Sequence, residues 1–220
     1  MLVVGDLMDV EKTDFNYCPE CGERIEENAV MCNSCGSWFD VENETQVSNV
    51  QPIYKLVVLL ILTGSLYQLY WFYRNWRDFK AYKNLDIYVG LRTLGLFIPL
   101  VNLYLIGTQF RDMRNYEVEA GIKPFSLYGV IILWVVLSVL SVRLSFYANP
   151  FTGVASLILA FCLVIPFYMV QKSLNEYWMK EQDDLPLRKG ISGGEILVLI
   201  VGLILLGLEL LGIVALFVLI

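Results

Sequence analysis

From residue 53 onward the chain alternates long apolar runs with short polar ones. Five apolar blocks stand out, at 53 to 73, 87 to 109, 125 to 147, 152 to 171 and 196 to 220. Each approaches the ~20 residues that a helix needs to cross a hydrocarbon core about 30 Å thick. Helix starts are signalled by Pro124, by Asn149-Pro150 and by Ser192-Gly193-Gly194-Glu195, whose spacing is that of a capping box. Ahead of these blocks, residues 1 to 16 read as a disordered acidic tail, 17 to 40 as a small head and 41 to 52 as a polar linker. Met1 to Val10 has neither a basic start nor a long apolar core, so no signal peptide is expected there.

The first two blocks differ from the other three because each is interrupted near its middle, by Thr63-Gly64-Ser65 and by Pro99. They also resemble one another at an offset of 34 residues, where Asn75 to Lys80 aligns with Gln109 to Arg114 and Tyr82 with Tyr116. This reads as a tandem repeat, about 53 to 83 and 87 to 117, in which an apolar half, a breaker and an aromatic helix run into a basic extension. Basic residues then test the topology. Five simple spans put Arg74, Arg77, Lys80, Lys83, Arg92 and Arg143 outside, against the positive-inside bias. If blocks one and two each dip to the breaker and return, only Arg143 stays outside. The expectation is an all-α integral membrane domain over 53 to 220 with three to five transmembrane helices, the number depending on whether the first two blocks cross or re-enter.

Composition agrees with a bilayer and removes much chemistry. Of 220 residues 57% are hydrophobic and only 17% charged, where a soluble domain carries about a quarter. There is no histidine, which excludes Ser-His-Asp and Cys-His catalysis and histidine metal sites. Residues 1 to 52 hold 11 acidic residues against Lys12 and Arg24, a charge of −9, while the remainder holds 11 acidic and 14 basic residues, a charge of +3. An acidic head therefore precedes a mildly basic body, and neither predicts nucleic-acid binding.

The head carries Cys18-Pro19-Glu20-Cys21-Gly22 and Cys32-Asn33-Ser34-Cys35-Gly36. Two residues between paired cysteines let both thiolates face one tetrahedral ion at about 2.3 Å, so Cys18, Cys21, Cys32 and Cys35 are the expected ligands of a single zinc. Free thiols, or disulfides in an oxidising compartment, are the alternative. A head this small buries too little core to fold without a staple, which favours the metal. Zinc on reduced thiolates in turn places the head in the cytosol.

The run Tyr17 to Gly36 resembles the minimal zinc ribbon at the N-terminus of many prokaryotic membrane proteins. Leu62 to Tyr67, with Tyr70-Trp71-Phe72-Tyr73-Arg74, is similar to the opening of an uncharacterised membrane-domain family often fused to such ribbons. The resemblance implies a zinc-ribbon-fused, multi-pass architecture and supplies no reaction.

Candidate functional residues in the body are few. Glu209 lies inside the last apolar block, where an ionised carboxylate costs about 2.5 to 3.5 kcal/mol. Arg92 and Arg143 are the basic residues that can approach it from other apolar blocks, so the three form a candidate polar site; a neutral acid bonded to a neighbouring helix is the alternative, favoured because one isolated carboxyl makes a thin pathway. Arg74, Trp76, Arg77, Lys80, Arg111 and Arg114 read as an interfacial, lipid-facing set, with the aromatics from Tyr67 to Phe79 as a belt. No nucleophile and base are paired, so no enzyme is expected. Two functions fit. One is a membrane-anchored scaffold or regulator whose cytosolic ribbon binds a protein partner; the other is a small transporter or channel centred on Glu209 with Arg92 or Arg143.

Overall fold

In a computed structural model of the chain, residues 15–17, 24–26, 34, 47–187 and 190–218 are described, and the chain divides into two units, Met1–Thr45 and Gln46–Ile220. In the first unit, strand β1 (Phe15–Tyr17) pairs antiparallel with β2 (Arg24–Glu26), with Phe15 opposite Glu26 and Tyr17 opposite Arg24. Phe15 and Asn16, expected in the acidic tail, are thus part of a strand. The four cysteines expected to hold zinc lie outside the described residues.

The second unit is helical. Its elements are α1 (Ile53–Leu62), α2 (Tyr67–Lys83), α3 (Val89–Gly95), α4 (Pro99–Glu119), α5 (Leu127–Ser145), α6 (Pro150–Cys162), α7 (Val164–Glu181) and α8 (Gly193–Val218). Among the described residues three stretches are long and apolar enough to cross a membrane: Leu127–Ser145, Pro150–Glu181 and Gly193–Val218. Their outer surfaces expose Leu197, Leu203, Leu208, Val136 and Val139, as a body bathed in lipid requires. The start signals act as expected. Asn149 accepts a hydrogen bond from the Phe151 amide at 2.9 Å with Pro150 behind it, and Ser192 and Glu195 form a reciprocal capping box. The α6–α7 span breaks at Leu163, just ahead of Pro166, whose ring displaces the carbonyl of Cys162 and cannot donate to it.

Blocks one and two each fold as two helices that double back. At the end of α1, Gly64 (φ 55°) and Ser65 (φ 72°) are both left-handed; the Ser65 amide donates to the Leu60 carbonyl and the Gly64 amide to Ile61, the paired bonds of a Schellman turn. Thr63 then serves both helices, its hydroxyl donating to the Leu59 carbonyl (2.7 Å) and accepting from the Tyr67 amide (2.9 Å). Partners along α7 show the reversal. Gln51 bonds Asn175 and Ser65 bonds the Ala160 carbonyl, whereas on the way back Trp71 meets Gln171 and Tyr82 meets Glu181. Against α8 the hairpin reaches from Glu195, beside Lys55, to Leu206, beside Gly64, roughly 16 Å along the helix axis. Gly202 permits this approach, since a Cβ there would lie 2.3 Å from that of Thr63; Gly207 and Gly212 face open space.

The second hairpin is shallower. α3 ends at Gly95, where a Cβ would lie 2.7 Å from Leu105, and Asn102 caps the turn by donating to the Leu96 carbonyl. Trp71, Phe72, Phe110 and Phe167, all fully buried, join α2, α4 and α7 through edge-on and tilted ring contacts.

Beyond that core, Glu117 is buried where α4 meets the loop to α5. Its Oε2 accepts a long 3.4 Å bond from the Phe125 amide and its Oε1 has no partner. Burial pushes its carboxyl up to about 7, partly offset first by the nearby Ser173 hydroxyl and then by that amide. Because the folded value lies above the unfolded one of about 4.5, the neutral acid stabilises the fold below that value, and this is lost as pH rises through 7. Glu117→Gln is expected to flatten the fall in melting temperature between pH 4.5 and 7 and to raise stability at pH 8, by at most about 3 kcal/mol. Thermal unfolding of the two proteins across that range checks it, and parallel curves would refute it.

Candidate functional site

The polar residues expected to meet do not. Glu209 is exposed on α8, Arg143 is exposed in the last turn of α5, and Arg92 on α3 stacks over the Trp76 ring at 5.9 Å. None of the ion pairs among the described residues includes any of the three. The interfacial set also divides. Lys80 and Arg111 are exposed, and Arg77 and Arg114 are partly so. Arg74 and Trp76, by contrast, are only 3% exposed and face the protein rather than lipid. Arg74 turns inward because Asp78, one helical turn on, pairs with its Nε at 3.3 Å and the Asn49 carbonyl accepts from its Nη2 at 2.9 Å. Most of the expected aromatic belt is core: Trp71, Phe72, Trp76 and Phe79 lie on the face of α2 that α4 and α7 cover, and Tyr67 is buried against Glu195 of α8.

What the fold assembles instead is a buried polar seam where α1 and α2 meet α7 and α8. Its centre is Glu195, 1% exposed. Its Oε2 accepts from Lys55 Nζ (2.7 Å) and from the Ser192 amide (2.8 Å), and its Oε1 accepts from the Tyr67 hydroxyl (3.2 Å). Lys55 donates again to the Gly190 carbonyl, and the Gln51 amide donates to Tyr67 at 2.7 Å. The seam continues from the Gln51 backbone through two bonds to the Asn175 side-chain amide, then Gln171, then Trp71 Nε1, which donates to Gln171 at 2.6 Å. Ser48 and Asn49 bond Gln182. Residues 48 to 51, expected as linker, are therefore packed into the membrane unit, with Ser48, Val50 and Gln51 buried.

A second feature lies between the hairpins. Trp76, Phe79, Leu85, Ile87, Arg92, Gln109, Asp112, Met113 and Tyr116 line a cleft of about 20 Å³, room for a water or a small group. Of these residues, Trp76 and Gln109 each carry a buried atom without a partner, Nε1 and Oε1. Burial lifts the Asp112 carboxyl above its ordinary range, with Arg111 and Arg92 pulling the other way.

Neither feature is legible from motifs, because its members are scattered from Gln51 to Glu195. The one local signal was the capping box, which marked Glu195 as a helix start without revealing Lys55 as its counter-ion. Comparison of the chain with protein-family models, with curated proteins and with solved structures returned no match to any of them. The likeness of Tyr17 to Gly36 to zinc ribbons rests on the residues alone.

Chemically the seam is a lock. Every bond of its central carboxylate is made within the protein, and removing one partner strands a buried charge at a cost of about 3–5 kcal/mol. Lys55→Met and Glu195→Gln are each expected to destabilise the full-length protein by about that amount, and the double variant by clearly less than their sum. Chemical unfolding in detergent measures the cycle; strictly additive losses would show that the pair is not coupled.

Proposed function

We propose that the chain is a membrane-anchored scaffold or regulatory protein in the cell membrane, not an enzyme, whose head holds one zinc through Cys18, Cys21, Cys32 and Cys35 and binds a protein partner in the cytosol. The observation that carries this is the seam. Gln51, Lys55, Tyr67 and Glu195 are buried and bonded to one another as a support, and the residues from which a transport path would be built, Glu209, Arg92 and Arg143, stand apart. The paired strands Phe15–Tyr17 and Arg24–Glu26 fit a ribbon, since the first cysteine pair falls in the connection between them. With a charge of −9 before the metal site is added, the head favours a basic protein surface.

In this reading both hairpins enter the bilayer from the cytosolic face, and α5, the α6–α7 span and α8 cross it. The reversal of α1–α2, which brings Gln51 and Lys83 back to one end, supports that arrangement, as does the resulting cytosolic position of nearly all basic residues.

Two measurements test the proposal. Purified full-length protein is expected to carry about one zinc per chain, and Cys18→Ser with Cys35→Ser to lose both the zinc and a crosslinked partner while still inserting in the membrane. Metal-free protein that keeps its partner contradicts it. In intact cells a membrane-impermeant thiol reagent is expected to spare Asp86→Cys and to label Ala148→Cys. Labelling of Asp86→Cys from outside would replace the re-entrant hairpins by spans.

A further inference from the structure

Arg143 and Glu209 have opposite charges and no ion-pair partner among the described residues, and the packing around α6 puts them at nearly one depth. α6 lies between α5 and α8. Ser141 and Ser156 each donate to the other's carbonyl, at 2.9 and 2.8 Å, and a Cβ on Gly153 would lie 3.0 Å from Ile213. α6 runs antiparallel to α8, because Ser65 bonds Ala160 where Gly64 touches Leu206, and the contact has moved to Ile213 by Gly153. On this ladder Ser156, and Ser141 with it, is level with Leu210. Arg143 is then level with about Gly212, roughly 4.5 Å along the axis from Glu209. An arginine side chain spans that difference. Within one chain the two do not meet, because α6 separates their helices by about 16–20 Å.

Helical spacing shows where each side chain points. The buried residues of α5, Val130, Trp134 and Ser141, form one face, and Arg143 ends the opposite one after Ile132, Val136 and Val139, all exposed. α6 bares Phe151, Val154 and Ile158 at the same spacing. On α8, Glu209 follows Gly202 and Leu206, which meet the α1–α2 tip, and precedes Ile213, which meets α6. It occupies the notch between those two contacts and is exposed there. A carboxyl and a guanidinium at this depth are costly to leave alone, so Glu209 calls for a donor and Arg143 for an acceptor. The chain carries one of each.

We propose that two copies of this chain associate through the α5, α6 and α8 surface, with Arg143 of each copy bonded to Glu209 of the other. A two-fold axis along the membrane normal preserves depth. Laying one such surface against another about that axis sets α6 on α6, along Phe151, Val154 and Ile158, and α5 on α8 of the second copy. Both charge pairs form at once, which is why the matching depths matter. The symmetry holds whichever side of the membrane is cytosolic, so the dimer does not depend on the zinc-bearing head or its partner.

The test uses full-length protein with one dye per chain, reconstituted into lipid vesicles and counted by single-molecule photobleaching over a range of protein-to-lipid ratios. Wild-type protein is expected to bleach in two steps. Glu209→Gln and Arg143→Gln, which each remove one charge, are each expected to raise the dissociation constant at least about tenfold. Glu209→Arg and Arg143→Glu are expected to be monomeric alone and to form mixed dimers when reconstituted together in two colours, because the mixture restores opposite charges at both contacts. Monomeric wild-type protein overturns the proposal, and so does a dimer that either glutamine variant leaves intact. Charge-reversed chains that fold but do not pair with each other overturn the two-fold assignment; if a reversed chain does not fold, the two glutamine variants decide. Loss of the dimer in Glu209→Gln but not in Arg143→Gln would hand Glu209 to a donor on another protein and retire the self-association.

Discussion

A chain that reverses between two apolar helices leaves peptide groups at the turn that neither helix satisfies, and in an apolar setting each is costly. The membrane unit depends on how residues 63–66 meet this constraint. The Schellman bonds use the last carbonyls of α1, Thr63 takes the exposed amide at the start of α2, and Ser65 secures the tip to the Ala160 carbonyl. The left-handed backbone at Ser65 is unusual for a residue with a side chain, and the bond from its hydroxyl to Ala160 at 2.6 Å is what holds it there.

The turn sets the hairpin's shape, and the seam sets where it sits. Lys55 and Glu195 join its entry to the start of α8, while Gln51, Asn175, Gln171 and Trp71 join it to α7. Such bonds are directional, so they fix register along the helices in a way that Leu against Leu does not. Aromatic packing then fills the space behind them, with α2 acting as the spine between α4 and α7. The same arrangement explains why α2 could not be an interfacial belt: it is the central helix of the unit, and its solvent- or lipid-facing side is narrow.

Much of this was legible where a single local cause decides the outcome. Gly64 beside two small hydroxyl residues, Pro99, and Asn149-Pro150 each interrupt or start a helix for reasons contained in a few residues, and the helices break or begin there. The three later blocks are apolar over enough length that crossing a bilayer follows from burial alone. Arg74 and Trp76 were misread because alternation of basic and aromatic residues looks the same on a lipid-facing helix and on a buried one whose charges are neutralised. Asp78 at the fourth position after Arg74 was the available clue. The Lys55–Glu195 pair offered none, since either residue alone is ordinary near the end of an apolar block, and only the hairpin's return brings them together.

Packing of residues 48 to 51 carries the argument toward the head. Had they been a free linker, the first helix would be tethered only by its own apolar side chains. Instead Ser48, Asn49 and Gln51 bond α7 and the loop after it, and Arg74 reaches back to the Asn49 carbonyl. Residues 48 to 51 are thereby bonded to α2 as well as to α7 and the loop after it. A load applied at residue 48 would pass through these bonds into α2 and α7 before it reached the Lys55–Glu195 pair. The charged pair, one helical turn beyond Gln51, is the contact most costly to break, and the bonds of residues 48 to 51 take strain before it does.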